Sequence, residues 1–253
     1  MIFTGKESQN YIFASILTGI YDVNRNVLLQ NDDFQIIRKW YDSIKNLTLN
    51  AVIFHNNFSD ETVLKYQTEY ISFVKVDYDG ILNPNVQRYI IYRDFMNEHF
   101  NEIENLFVTD IADVIVVKNP FLQPLFLHHK AFKIFCGDEP KILENDWMKE
   151  HSTHLRNNIL DYADYEIKYR NETLLNCGII GGKVEFMKNL LEALSEIHQI
   201  FNRDNKTAFI GDMGAFNYIM RTKFSDKILH GSPINTEFKE YENERMDCWF
   251  RHK

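Results

Sequence analysis

A chain of 253 residues is long enough for one large α/β domain with a substantial core. Its 45% hydrophobic and 25% charged content is that of an ordinary globular protein, and 10 Gly and 5 Pro are too few for a disordered or repeat-built one. With 36 Asp+Glu against 28 Lys+Arg, the net charge of −8 disfavours nucleic acid and anionic membrane as partners, while leaving room for a small phosphorylated ligand in a local site.

Aromatic residues make up 14%, which predicts a ring-rich core and cleft. Cys136, Cys177 and Cys248 are odd in number and widely spaced, a pattern that suits reduced thiols rather than a disulfide framework. The opening MIFTGKESQN lacks a basic segment leading into an apolar run, and no stretch of 18 apolar residues follows anywhere. Neither a signal peptide nor a membrane span is therefore expected, and the expected location is cytoplasmic.

In chain order, Tyr11–Ile20 reads as a first strand closed by Gly19 and leading to Asp22 and Arg25. Such a turn is either a nucleotide edge beyond a strand C-terminus or an ordinary connecting loop. Asp32 and Asp33 precede apolar residues at helical spacing, Phe34, Ile37, Trp40, Tyr41 and Ile44, and suit an N-cap. Ala51–Phe54 is a second strand, 60–69 a short helix, and 70–76 a third strand. Asp77 and Asp79 form a rival acidic pair, although Gly80 at once behind them is a turn signal. A helix over 85–100 carries Arg88 and Arg93. The alternation to this point implies parallel pairing with right-handed crossovers.

Leu106–Phe121, LFVTDIADVIVVKNPF, places Asp110 and Asp113 between two short β-branched runs. Two carboxylates at the mouth of a buried sheet need compensation, and a divalent cation such as Mg²⁺ or Mn²⁺ supplies it. The alternative is a pair of solvated turn residues. Ala131–Phe135 is a further strand ending at Cys136-Gly137-Asp138-Glu139-Pro140, and polar residues 141–171 include Trp147, His151 and His154, the histidines read as solvent-facing or helix-packed. Leu174–Gly182, LLNCGIIGG, reads as a strand broken at Asn176-Cys177-Gly178 and again at Gly181-Gly182, with a helix behind it. Asp212 opens a helix over 215–221 as its cap or as a cleft residue. Strand-like residues 227–229 meet His230, and 248–250 lead to Arg251, His252 and Lys253.

Taken together, VTDIADVIVVKNPF, LLNCGIIGG, GDMGAFNYI and WFRHK resemble a nucleotide-sugar glycosyltransferase of the GT-A type, related to the glycogenin-like enzymes. DVNRN, DDFQIIRKWYDSI and NAVIFHNNFSDE resemble a bacterial, viral and plant group of such transferases. The resemblance implies a single α/β domain with a mixed, mostly parallel central sheet flanked by helices. Residues 1–121 would form its nucleotide-binding half, and 122–253 the acceptor and sugar half with a C-terminal strand bearing a metal ligand. It implies Mn²⁺ or Mg²⁺ at Asp110, Asp113 and His252, with His230 as the alternative third ligand. Gly19, Asp22, Arg25, Arg88, Asp110 and Lys253 would meet the nucleotide, and Asn176 and Asp212 would line the sugar pocket as catalytic residues.

The implied activity is transfer of a hexose or pentose from a UDP- or GDP-sugar donor to a glycan or glycoconjugate acceptor, with a lean towards retention. Two departures stand out. The acidic pair is one residue longer than D-x-D, and Met213 replaces the usual Gln. These motivate a non-catalytic nucleotide- or glycan-binding module as the alternative. An aspartyl phosphatase built on Asp110 lacks the companion acid, position 112 being Ala.

Overall fold

The computed structural model describes residues 9–22, 27–205, 210–240 and 242–253. Strand β1 (Asn10–Ile16) is followed by a ribbon of β2 (Tyr21–Asp22) and β3 (Val27–Leu28). Asp33 accepts from Gln35 N at 2.9 Å and caps a 3₁₀ turn that runs directly into α1 (Arg38–Asn46). Next come β4 (Ala51–His55), α2 (Asp60–Tyr66, capped by Ser59), β5 (Ile71–Lys75) and α3 (Pro84–Glu98). Asn83 as cap and Pro84 in the first turn start α3, where a missing N–H costs nothing. Then follow β6 (Asn105–Thr109), β7 (Val114–Val116), α4 (Pro124–His129) and β8 (Ile134–Ile142). Three short helices, α5 (Asp146–His151), α6 (Thr153–Asn158) and α7 (Tyr162–Tyr169), lead to β9 (Thr173–Lys183). The chain continues through α8 (Val184–Phe201), α9 (Asp212–Lys223), β10 (Ile228–His230) and β11 (Phe250–His252).

Among the described residues, seven strands form one sheet in the order β10-β8-β9-β6-β1-β4-β5. All run parallel except β9, which is antiparallel to both β6 and β8. The expected mixed, mostly parallel sheet is thus present, and both halves of the chain contribute strands to it. Both faces are covered, which is why the strands read as continuous apolar runs rather than alternating ones. Tyr11 and Phe13 face one core layer with α3, α8 and α9, while Ile12 and Ala14 face the other with α1 and a ring cluster around Phe107, Phe126 and Trp249. The chain winds outward from β1 through β4 to β5, then returns to the far side of β1 as β6. That reversal makes the C-terminal ends of β1 and β6 a topological switch point, where ligands of open α/β sheets sit.

Three strand expectations are corrected. Val114–Val116 does not join the main sheet but pairs antiparallel with β11 in a small sheet of its own. Strand β8 runs past Cys136 to Ile142, with register shifts at Cys136/Gly137 and Asp138/Ile142. Strand β9 is unbroken: Gly181 is required because a Cβ there would overlap the Phe107 ring on β6. All three cysteines are free and buried, and among the described residues no helix is long and apolar enough to cross a membrane.

Candidate metal centre

Asp110 follows β6 directly, Asp113 precedes β7, and β11 pairs with β7 so that His252 lies opposite Val114. Register alone therefore delivers the histidine to the two acids. Ligand atoms of Asp110, Asp113 and His252 all lie within 4.8 Å of one another. His252 Nε2 is 3.7 Å from an Asp110 oxygen and 3.9 Å from an Asp113 oxygen. These separations are too long for hydrogen bonds, yet short enough for one ion about 2.1 Å from each atom.

The frame around them is built from several elements. Trp40 Nε1 donates to Thr109 Oγ1 at 2.8 Å, and Val116 N donates to Ser43 Oγ at 3.1 Å, so α1 holds both flanks of the acidic loop. Asp110 N donates to Gly178 O at 2.8 Å, Lys253 N to Asp113 O at 3.1 Å, and His252 N to Thr236 Oγ1 at 2.9 Å. Gly178 has no freedom to be anything larger. A Cβ there would lie 2.7 Å from Asp110 Oδ2 and 2.9 Å from His252 Nε2, filling the space between the ligands.

Burial lowers the pKa of His252 despite the nearby Asp110 and Glu139 carboxylates, which favours the neutral imidazole that binds metal. Its Nδ1 has no hydrogen-bond partner among the described residues, and the Phe238 ring lies 4.4 Å away. Two carboxylate oxygens and one imidazole nitrogen could hold a divalent cation and would leave further coordination positions for a ligand.

Behind the acids sits Arg88, 6% exposed, paired with Asp110. Burial opposes its charge, but the Asp110 carboxylate beside it holds the guanidinium pKa well above its usual value. Arg88 Nη2 also lies 3.2 Å from Tyr89 OH and 3.4 Å from Cys177 Sγ. Arg93 points elsewhere, to Asp94 and Gln199. Beyond Cys177 is Asp212, the first residue of α9, whose Oδ2 is 3.7 Å from that sulfur. Asp212 Oδ1 accepts from His151 Nε2 at 2.9 Å, and Trp147 stacks on the imidazole at 4.4 Å. Burial works against the Asp212 charge, but the His151 hydrogen bond and charge bring its pKa down to about 2. Cys177 is held well above its usual value, by burial and then by Asp212, so its thiol stays protonated.

Asn176 is buried with both ends of its amide engaged: Nδ2 donates to Glu139 Oε1 at 3.0 Å, and Oδ1 accepts from Gly178 N at 2.7 Å. It links the metal centre to a groove of about 560 Å³ lined by Asp138, Glu139 and Asn235 among others. Met213 faces inward, with its sulfur 3.5 Å from Cys177 Sγ.

Other expected residues stand apart from the cluster. His230 lies outside the Asp110–Asp113–His252 group: its Nδ1 pairs with Asp138 Oδ2 at 2.8 Å, at the end of the β8–β10 pair. Gly19 turns the chain after β1 at φ +79°, its Cβ position facing Asn31 and Asn57 rather than the acids. Asp22 lies in β2, and Arg25 lies outside the described residues. The Lys253 side chain lies beside Lys39, which lowers its pKa, at the edge of the cluster its backbone joins. Asp79 accepts from Ile81 N at 2.9 Å within the turn at Gly80, so the rival acidic pair is a turn.

The sequence assigned no role to Glu139 or Asp138 and offered His151 only as solvent-facing or helix-packed, whereas it is buried against Asp212. Asp138 and Glu139 follow an apolar run in the sequence much as Asp110 does, which was the available signal, although both lie within β8. His151 gave none, because its partner Asp212 lies far along the chain. Compared with family models and with curated proteins, the chain matches none of them.

Proposed function

We propose that the protein is a metal-dependent glycosyltransferase that takes a sugar from a UDP- or GDP-sugar donor. The observation carrying this reading is the convergence of Asp110, Asp113 and His252 around the Gly178 gap at the switch point of the sheet. Asp110, Asp113 and His252 would hold Mn²⁺ or Mg²⁺, which when bound supplies positive charge against a departing diphosphate. On this reading Arg88 and Lys253 would add positive charge near the diphosphate, and Asn176 and Asp212 would line the sugar pocket. The acceptor on this reading is a glycan or glycoconjugate.

The test is thermal denaturation with nucleoside diphosphates and metal. UDP or GDP with Mn²⁺ at about 100 times Kd stabilises by roughly 2.7 kcal/mol, which for a chain of this size is an upward shift of about 5–10 °C. Asp113→Ala is expected to abolish the shift. No response to any nucleoside diphosphate, with or without metal, would overturn the reading.

One observation favours a binding-only module as the second reading. Met213, where the resemblance expects Gln, is turned into the core against Cys177 and offers no amide to a sugar. Hydrolysis of the donor without acceptor discriminates, because a module without turnover releases no free sugar.

A further inference from the structure

We infer that the groove beside the metal centre is a binding site for a neutral, hydroxyl-rich ligand of the oligosaccharide class. Naming that ligand the acceptor rests on the glycosyltransferase reading; the groove's chemistry does not. Its volume, about 560 Å³, lies within the range of roughly 300–1,000 Å³ usual for small-ligand sites.

The floor of the groove is Asn235, 2% exposed. Its Nδ2 donates to Asp138 O at 3.1 Å and Thr236 O at 2.7 Å, while Oδ1 accepts from no group among the described residues. A buried amide oxygen without a donor is rare in folded proteins and calls for a partner. Asp138 beside it is placed by the two register shifts in β8 and anchored through Oδ2 by His230 Nδ1. That anchoring depends on Gly231, at φ +77°, where a Cβ would lie 2.6 Å from Asp138 Oδ2. Glu139, 7% exposed, uses Oε1 for Asn176 and leaves Oε2 facing Lys141 at a loose 3.8 Å.

Acceptors therefore predominate in the wall, and the ligand must bring donors. Anions are disfavoured, because the Asp138, Glu139 and Glu237 carboxylates outnumber the cations in the lining, Lys141 sits beside Glu139, and Arg245 is already committed to Glu242 and Asp247. Pro140 and Ile142 supply apolar surface against which the C–H faces of a sugar ring can lie. Hydroxyl donors on an apolar ring frame are what this lining recognises. The groove also communicates with the metal centre through one hydrogen-bonded path, Glu139 to Asn176 to Gly178 N.

The test is saturation-transfer NMR on the full chain with lactose, maltose, cellobiose, mannobiose and N-acetylchitobiose, without nucleotide or metal. At least one disaccharide is expected to bind, and Asp138→Asn to weaken it about tenfold, as for loss of a hydrogen bond to a charged group. Glu237→Trp, at the exposed rim, is expected to block binding without touching the core, so the result survives if the Asp138 variant misfolds. Asp113→Ala is expected to keep saccharide binding while losing the response to Mn²⁺ and nucleotide, which separates failure here from failure of the donor reading. The inference is overturned if no disaccharide binds, if Glu237→Trp leaves binding intact, or if spermidine binds more tightly than every saccharide.

Discussion

Gly178 decides whether the candidate metal centre can keep its shape, although it offers no ligand atom. Replacing it with Ala forces Asp110 and His252 apart, since the new carbon would lie within 3 Å of both. Gly178→Ala is expected to cost about 1–3 kcal/mol of stability, the usual range for overpacking, and at least about tenfold in Mn²⁺ affinity by titration calorimetry. Asp212 carries a second residue-scale consequence. Its folded pKa, about 2, lies below the unfolded carboxylate value of about 3.9. Its contribution is therefore present above pH 4 and lost as pH falls towards 2, on the order of 2 kcal/mol. Chemical denaturation of Asp212→Asn should show a flatter acid decline in that window. Asp110, Asp113 and His252 were legible as residue types in suggestive order. The role of Gly178 was legible only as a break in a strand, because what approaches it comes from two other segments.

At the scale of elements, α1 is a clamp on the site rather than a bystander. Trp40 Nε1 and Ser43 Oγ grip the strand ends on either side of Asp110 and Asp113. Thr109→Val keeps the shape but leaves a buried indole N–H unpaired, at a cost of about 1–3 kcal/mol. Its Mn²⁺ affinity should fall as well, while Ser59→Ala, which removes the α2 cap, should cost about 1 kcal/mol and leave metal affinity unchanged. Measuring unfolding and Mn²⁺ binding on both variants checks the distinction. Helical periodicity marked Trp40 as core, which it is, but could not show its polar edge reaching Thr109. Likewise Val114–Val116 reads as one more buried strand. Only pairing with β11, set by a partner distant in sequence, reveals it as a separate ribbon that brings in His252.

Across the whole molecule, two buried histidines besides His252 bear on the response to mild acid. His55 and His198 are both brought down to about 4, chiefly by burial, against an unfolded value of about 6.5. Both contribute stability that is complete above about pH 6.5 and lost as pH falls towards 4, on the order of 3 kcal/mol each at most. His198→Phe preserves a ring against Tyr89, whose stacking distance is 5.7 Å, and should flatten the stability curve between those values. The alternation of strands and helices made the parallel sheet readable, because period and order are local properties. The antiparallel run of β9 was not readable, since nothing in Thr173–Lys183 encodes direction; the path of the chain through α5 to α7 decides it. The groove was hidden for a related reason: Asp138 and Asn235 meet only after β8 and β10 have paired.

The distance along the chain between Asp113 and His252 has a kinetic meaning. More than half the chain lies between them, so a cation shared by the two would act as a reversible cross-link closing a very long loop. Loop closure of that length removes entropy from the opened state, and the grip is released whenever the ion leaves. Amide exchange in Val114–Val116 and Phe250–His252 is therefore expected to slow on adding Mn²⁺, while exchange in β4 and β5, at the far edge of the sheet, stays as it was.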